Sequence, residues 1–371
     1  MGQRIIKIYL GFTTLIFIGV LALAIFWVWQ NQREIDYSQD ASLLISQTAI
    51  SVGQKSAEQK NSDPIRMLFF GDTMLDRNVG TVIKQKGLDY LFEKLAAGNI
   101  FQNKDIISCN LEGVVTNKGA HYSPNNAYDF AFSSELVGWL KNYGFNFFNL
   151  ANNHLIDQGD AGVAETRQNL DAFGFDYSGC PDGQIGECSG KVIEIKNQKI
   201  GLVGFSTVYS KLDQEKLAAF VSDLASSTDL LIVNIHWGNE YQHQFSQYQQ
   251  KLAWALIDSG ADIVVGHHPH VVQGMEIYKN KPIFYSLGNF IFDQYFSVDT
   301  QEDLALDLIW EDKNLEIFLI PLKSKQDQPD LVVEAEKNNF LQKFISWSQI
   351  SSEYIEQVKV GKIDFKSSFP F

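Results

Sequence analysis

Residues 267–270 read His267-His268-Pro269-His270, so three of the chain's seven histidines fall within four positions. Such a run offers several imidazole nitrogens to one small volume, which suits a first-row divalent metal. Residues of matching use stand elsewhere in the chain: Asp72, Glu112, Asn153 and His236. With His268 and His270 they form a set too nitrogen-rich for calcium and without the thiolates of a soft site, leaving Mn, Fe or Zn. Two such ions about 3.5–4 Å apart, bridged by a carboxylate, would polarise a phosphoryl or acyl oxygen and acidify a water between them. His154 directly follows Asn153 and is placed to protonate a leaving group. Taken singly, each residue has a plainer reading. Asp72 could cap a helix, Asn152-Asn153 could be a turn, Glu112 could be solvated, and His236 beside Trp237 could be a core histidine. His121 and His243 lack a comparable setting and read as surface or rim residues.

What separates this set from chance is the elements that carry it. Short apolar runs at 65–70, 105–108, 145–150, 230–235, 263–265 and 284–287 each stop at chemically active residues. The stops are Asp72, Glu112, Asn153-His154, His236, His267 to His270, and Asn289. Runs of this length read as buried strands. Residues 90–97, 134–143, 162–173 and 248–259 have helical spacing. Strand alternating with helix implies an α/β layered fold, whose sites collect at the carboxyl ends of strands.

The chain has 371 residues with 44 acids against 30 bases, a net charge of −14, which excludes nucleic acid as the main partner. Apolar residues make up 45% and charged ones 20%, so the body is globular. No charge occurs from Ile8 to Gln32; Arg4 and Lys7 precede this stretch and Arg33 follows it. An apolar run of that length crosses a bilayer as a helix, and the positive-inside bias places the N-terminus in the cytoplasm and the body outside. The alternative is a signal peptide cleaved after Ala22-Leu23-Ala24, although residues 25–29 prolong the apolar run. Residues 34–63 are polar and read as a linker. Outside the cytoplasm Cys180 and Cys188 could pair across the turn-rich segment between them, two free surface thiols being the alternative; Cys109, in an apolar run, reads as buried.

At these residues the sequence resembles the CapA family of poly-γ-glutamate capsule synthesis proteins, whose domain is similar to the calcineurin-like metallophosphoesterases. The matching stretches are residues 71–77, Asn110-Leu111-Glu112, Ala151-Asn152-Asn153-His154 with Asp157, His236-Trp237-Gly238 with Glu240-Tyr241, residues 266–271 and residues 285–290. The resemblance runs from about Ile65 to Pro321. It implies a four-layer α/β/β/α sandwich over residues 64–323. The apolar run at the start adds one transmembrane helix at 1–33, and the acid- and Lys-rich end reads as a peripheral segment at 324–371, in which residues 340–347 could be a short amphipathic helix packing on the body. The resemblance implies two divalent metal ions held by Asp72, Glu112, Asn153, His236, His268 and His270, with Glu112 as the bridge. Met74 stands where the superfamily's opening motif has a histidine, and a thioether is a poor partner for such an ion. The first metal position is therefore expected to be altered, weaker, or completed by Glu112 or His270. His154 is the expected acid, oriented by Asp157, while Glu240 and His267 support the ligands from behind. Arg77 and Asn289 are the candidates to contact substrate oxygens. The function implied is a metal-dependent hydrolase, single-pass at the cell membrane, acting on a phosphoester or an anionic polymer such as poly-γ-glutamate in its synthesis, release or export. The alternative is a non-hydrolytic, polymer-binding member of a membrane-bound capsule synthesis or export complex.

Overall fold

The computed structural model describes residues 63–117 and 128–366. The expected anchor, most of the expected linker and His121 lie outside the described residues. Among the described residues no helix is long and apolar enough to cross a membrane.

The chain opens with β1 (Ile65–Thr73), α1 (Arg77–Lys86), α2 (Asp89–Ala97), β2 (Ile106–Leu111), β3 (Val114–Val115) and β4 (Ala131–Phe132). It continues through α3 (Ser134–Trp139), β5 (Phe147–Asn149), α4 (Gly159–Phe173), β6 (Asp176–Ser178), β7 (Gly190–Ile195) and β8 (Gln198–Ser206). Next come α5 (Gln214–Ala225), β9 (Leu230–His236), α6 (Gln247–Asp258), β10 (Ile263–His267), β11 (Val272–Tyr278), β12 (Lys281–Leu287) and β13 (Asn289–Ile291). The last elements are β14 (Glu302–Glu311), β15 (Asn314–Lys325), β16 (Gln328–Leu331), α7 (Glu334–Trp347), α8 (Ser352–Lys359) and β17 (Lys362–Phe365).

The fold is mixed α/β. One sheet runs β16-β15-β14-β1-β2-β5-β6, with β13 added on β1 and β17 on β15. The other runs β11-β12-β10-β9-β8-β7. Strands β1, β2, β5 and β6 are mutually parallel, as are β8, β9, β10 and β12. Strands β2, β9, β10 and β12 are buried at every residue, which is why they read as continuous apolar runs rather than alternating ones. Three apolar clusters follow one another through the molecule. In the first, Val79, Leu91, Val137 and Leu170 of α1 to α4 meet Leu68 and Phe70 of β1. In the second, Phe69, Leu306 and Ile317 of one sheet meet Ile232, Val265 and Phe284 of the other. In the third, Val221 and Leu256 of α5 and α6 meet Val233 and Val264. Each fully buried Phe or Leu contributes about 1.5–3 kcal/mol relative to an exposed one, so these faces hold both sheets and helices in register.

One sequence expectation is corrected. Residues 324–371 read as peripheral apart from a helix at 340–347 packing on the body; that helix is present within α7, but β16 and β17 also pair with β15. Phe340, Leu341 and Phe344 of α7, Val358 of α8 and Phe365 of β17 are buried in the cluster between the sheets. The charges that made the segment look peripheral lie on the solvent side of an amphipathic helix and a strand. Cys180 and Cys188 are joined by a disulfide. Cys109 is buried, and burial pushes its thiol up to about 12, so it is inert.

Candidate metal centre

The carboxyl ends of the parallel strands of both sheets deliver the polar residues to one place. Asp72 stands near the end of β1 and Glu112 just beyond β2; Asn153 and His154 follow β5; His236 ends β9 and His267 ends β10. His268 and His270 lie in the turn to β11, and Asn289 opens β13. The backbones there approach closely. Asp72 N–H donates to Gly288 O at 2.9 Å, and a Cβ on Gly71 would lie 2.1 Å from that same oxygen, so position 71 admits only glycine.

Asn110 organises the buried half of the site. Its Nδ2 donates to Asp72 Oδ1 at 2.7 Å and lies 3.4 Å from Glu112 Oε2 and 3.2 Å from His236 Nδ1. Its Oδ1 accepts from Asn149 at 2.9 Å and Asn152 at 3.3 Å. With Nδ1 of His236 facing this donor, its Nε2–H donates to Asn153 Oδ1 at 2.8 Å. Asp72, Glu112 and His236 are fully buried and offer ligand atoms within 4.8 Å of one another. A second group, Glu240, His268 and His270, does the same with one exposed member.

His270 Nδ1 pairs with Asn289 Oδ1 at 2.9 Å and lies 3.5 Å from Asp72 Oδ2, while its Nε2 is 3.8 Å from Glu112 Oε1. His267 Nε2 faces Asn234 Oδ1 at 3.3 Å, leaving Nδ1 3.7 Å from Asp72 Oδ1. His154 donates from Nδ1 to Asp157 Oδ2 at 2.7 Å, and that same oxygen accepts the N–H of Phe130 at 2.7 Å. The Phe130 ring lies 4.0 Å from the imidazole and fixes its plane. The other nitrogen, Nε2, is 3.7 Å from Glu112 Oε1.

The electrostatics follow from burial and mutual charge. Burial drives His236 well below the ordinary histidine value, His267 to about 4 and His268 to about 3, so these rings are neutral. Burial acts the same way on His270, but Glu112, Asp72 and Asn289 outweigh it and hold the ring up at about 9. Burial would raise Asp72, yet the hydrogen bond and charge of His270 keep its carboxyl below the usual range. Glu112 is pushed well above that range by burial and by the Asp72 charge.

A divalent ion fits this set. Glu112 Oε1, His267 Nδ1 and His268 Nδ1 are buried and have no hydrogen-bond partner among the described residues. Each such orphan costs about 1–3 kcal/mol, and cations at the two ligand groups would satisfy those on Glu112 and His268. His236, His267, His268 and Asp72 are in the protonation states that metal binding needs, while His270 and Glu112 would each give up a proton on binding.

Residues 66–294 match the family described as Bacterial capsule synthesis protein PGA_cap. The chain belongs to this family. It is 34% identical over 254 residues to the PGA biosynthesis protein CapA of Bacillus subtilis (strain 168), covering 63% of this chain and 65% of that protein. It is 29% identical over 320 residues to the capsule biosynthesis protein CapA of Bacillus anthracis, covering 81% and 77%. The chain thus spans somewhat less than two thirds of the Bacillus subtilis relative. Among solved structures, a 5′-nucleotidase from Candida albicans aligns with a TM-score of 0.37 at 12% identity, over 66% of this chain and 48% of that one, too distant to bear on function.

Within this PGA_cap domain the six expected ligands, Asp72, Glu112, Asn153, His236, His268 and His270, lie at one focus together with His154, Asp157, Glu240 and His267. The two residues expected to contact substrate already have partners within the protein. Arg77 is held by Asp293, with Nη2 2.6 Å from Oδ1 and Nε 3.1 Å from Oδ2, and its guanidinium lies 5.4 Å from the Phe130 ring centre. Asn289 is buried, and its amide engages His270, Gln294 and Thr300. Met74 is buried among the helix-side apolar residues, its sulfur accepting the Asp76 N–H at 3.0 Å. It supplies nothing to the centre. Two residues escaped the sequence reading. In the sequence Asn110 reads only as a motif neighbour of Glu112, and its pairing opposite Asp72 across β1 and β2 is visible only in the register. Asp303, in β14, is fully buried, and burial together with the Asp72 charge holds its carboxyl well above the usual range; no spacing signal marks it.

Proposed function

We propose that the chain is a membrane-anchored, extracytoplasmic, metal-dependent hydrolase. It would act in the synthesis, release or export of an anionic capsule polymer such as poly-γ-glutamate. In this reading the three clusters in series are the core of a four-layer metallophosphoesterase sandwich, and the strand-end residues hold two divalent ions of the Mn, Fe or Zn class. The observation that carries it is the pair of adjoining ligand groups, Asp72-Glu112-His236 and Glu240-His268-His270. Ions bound there would polarise a phosphoryl or acyl oxygen and acidify water. The chain's own residues do the rest. Asn110 and Asn289 orient the ligands by hydrogen bonds. Asp157 takes the Nδ1–H of His154, so the Nε2 proton of the imidazolium is the one a leaving oxygen or nitrogen receives. Phe130, packed on the ring, keeps that proton aimed at the site.

A second reading rests on Met74. With no ligand at that position, the centre would bind polymer carboxylates without cleaving the chain, as part of a synthesis or export complex. One experiment separates the two. The full chain is incubated with poly-γ-glutamate and with an aryl phosphate, with and without chelator. Chelator-sensitive turnover supports the hydrolase, and turnover of neither substrate supports the binding role. The anchor has its own test: an N-terminal sequence beginning near Ile25 in membrane-extracted protein would mean cleavage.

A further inference from the structure

Two turns on the solvent side of the centre carry residues with positive φ. The first turn follows β9: Gly238 has φ 88° and Tyr241 has φ 61°. The second follows β10: His268 has φ 96° and His270 has φ 56°. Side-chain-bearing residues enter this left-handed region only where the surroundings force them, and such outliers concentrate at sites. The two turns are stapled together, since Tyr241 N–H donates to Pro269 O at 2.8 Å. The result places one carboxylate oxygen of Glu240 and one ring nitrogen each of His268 and His270 all within 4.8 Å of one another. His268 Nδ1 is independent support, because this ring is only 5% exposed and the nitrogen has no partner among the described residues.

We propose that Glu240 is a metal ligand, which with His268 and His270 forms an outer, solvent-facing divalent position. Sequence reasoning put Glu240 behind the ligands; the geometry puts it among them. The inner position, Asp72 with Glu112 and His236, is closed, as all three are fully buried. The outer one has two imidazoles and a single exposed carboxylate, so coordination sites remain for a substrate oxygen. Two His with one carboxylate suit Mn, Fe(II) or Zn. Because Glu240 is exposed, the outer ion exchanges with solvent more readily than the inner one.

This inference rests on the reading of the centre as a metal site, and its test tells the two apart. The full chain is stripped with chelator and titrated with Mn(II) by calorimetry and with Co(II) by visible absorption. Wild type is expected to take two equivalents. Glu240→Gln should keep the tight inner equivalent and weaken the second by at least about 100-fold, with loss of its share of the Co(II) bands. Glu240→His, which restores a ligand, should bring back the second equivalent with a shifted spectrum. Glu240 is exposed, so neither change threatens the fold, and unfolding in chelator should match wild type. Two equivalents of unchanged affinity and spectrum in Glu240→Gln would overturn the inference and leave the proposed function standing. No metal bound by wild type would overturn both.

Discussion

Asn110→Asp is the most informative single change at this site, because its effect should depend on whether a cation is present. The Asn110 amide donates to Asp72 at 2.7 Å and faces Glu112 and His236 at 3.4 and 3.2 Å. A hydrogen bond to a charged group contributes about 1.5–3 kcal/mol. In the variant that donor becomes a carboxylate oxygen set against Asp72, and an uncompensated buried charge of this kind costs about 3–5 kcal/mol. Asn149 and Asn152 still donate to position 110 and offset part of the loss, so about 3 kcal/mol is the working figure. For a chain of this length that lowers Tm by about 4 °C in chelator. With Mn(II) the sign of the argument turns. A third carboxylate facing a divalent ion is attractive, so the deficit should shrink or reverse through linkage to binding. The assay is thermal unfolding of wild type and variant in chelator and in saturating Mn(II). An equal loss of Tm under both conditions would refute the reasoning, for it would mean that Asn110 braces a polar core and nothing more.

Three further outcomes are expected. Replacing His154 by Ala should lower any hydrolytic turnover about 10²- to 10⁴-fold, and Asp157→Asn, which leaves the imidazole in place but weakens its partner, should lower it less; unchanged turnover in His154→Ala removes the acid assignment. Asp327 sits in the two-residue turn between β15 and β16 at φ 65°, with its carboxyl pushed up to about 7 by burial and by the Asp293 charge. A raised carboxyl contributes stability below its ordinary pKa that is lost as pH rises through about 7, so Asp327→Asn should stabilise by about 2 kcal/mol at pH 8, discounted for solvent screening, and by almost nothing at pH 4; equal gains at both pH values would contradict this. Finally, the body is strongly acidic, so poly-γ-glutamate binding should vanish in chelator and first strengthen as salt screens the repulsion; binding that survives chelation places the polymer elsewhere.

The strand ends were legible because strands buried on both faces leave unbroken apolar text, and the chemistry begins where that text stops. The strands β1, β9 and β10 were readable in this way, as were Asp72, His236 and the 267–270 histidines. The layered alternation of strand and helix was readable for the same reason. Partnerships made through the fold were not. Arg77 and Asp293 are 216 positions apart, and no spacing shows that this carboxylate takes the Nε and one Nη of the guanidinium. The Asn289 amide is spent on His270 and its own loop, a commitment that depends on where β13 joins β1. Asn110 and Asp303 are polar residues within strands, where sequence gives no clue to which neighbouring strand they will face. The C-terminal segment was half legible: the helix at 340–347 showed in its apolar spacing, and Phe340, Leu341 and Phe344 form the buried face of α7, while the pairing of β16 and β17 with β15 left no mark in a charge-rich stretch.

Metal analysis of the full chain after chelation, reconstitution with Mn(II) and removal of free ions tests the central claim most directly. The account expects about two equivalents in wild type, and fewer when His236 or His268 is replaced by Ala. Less than half an equivalent in the reconstituted wild type would contradict it and return the buried histidines to the role of a polar core.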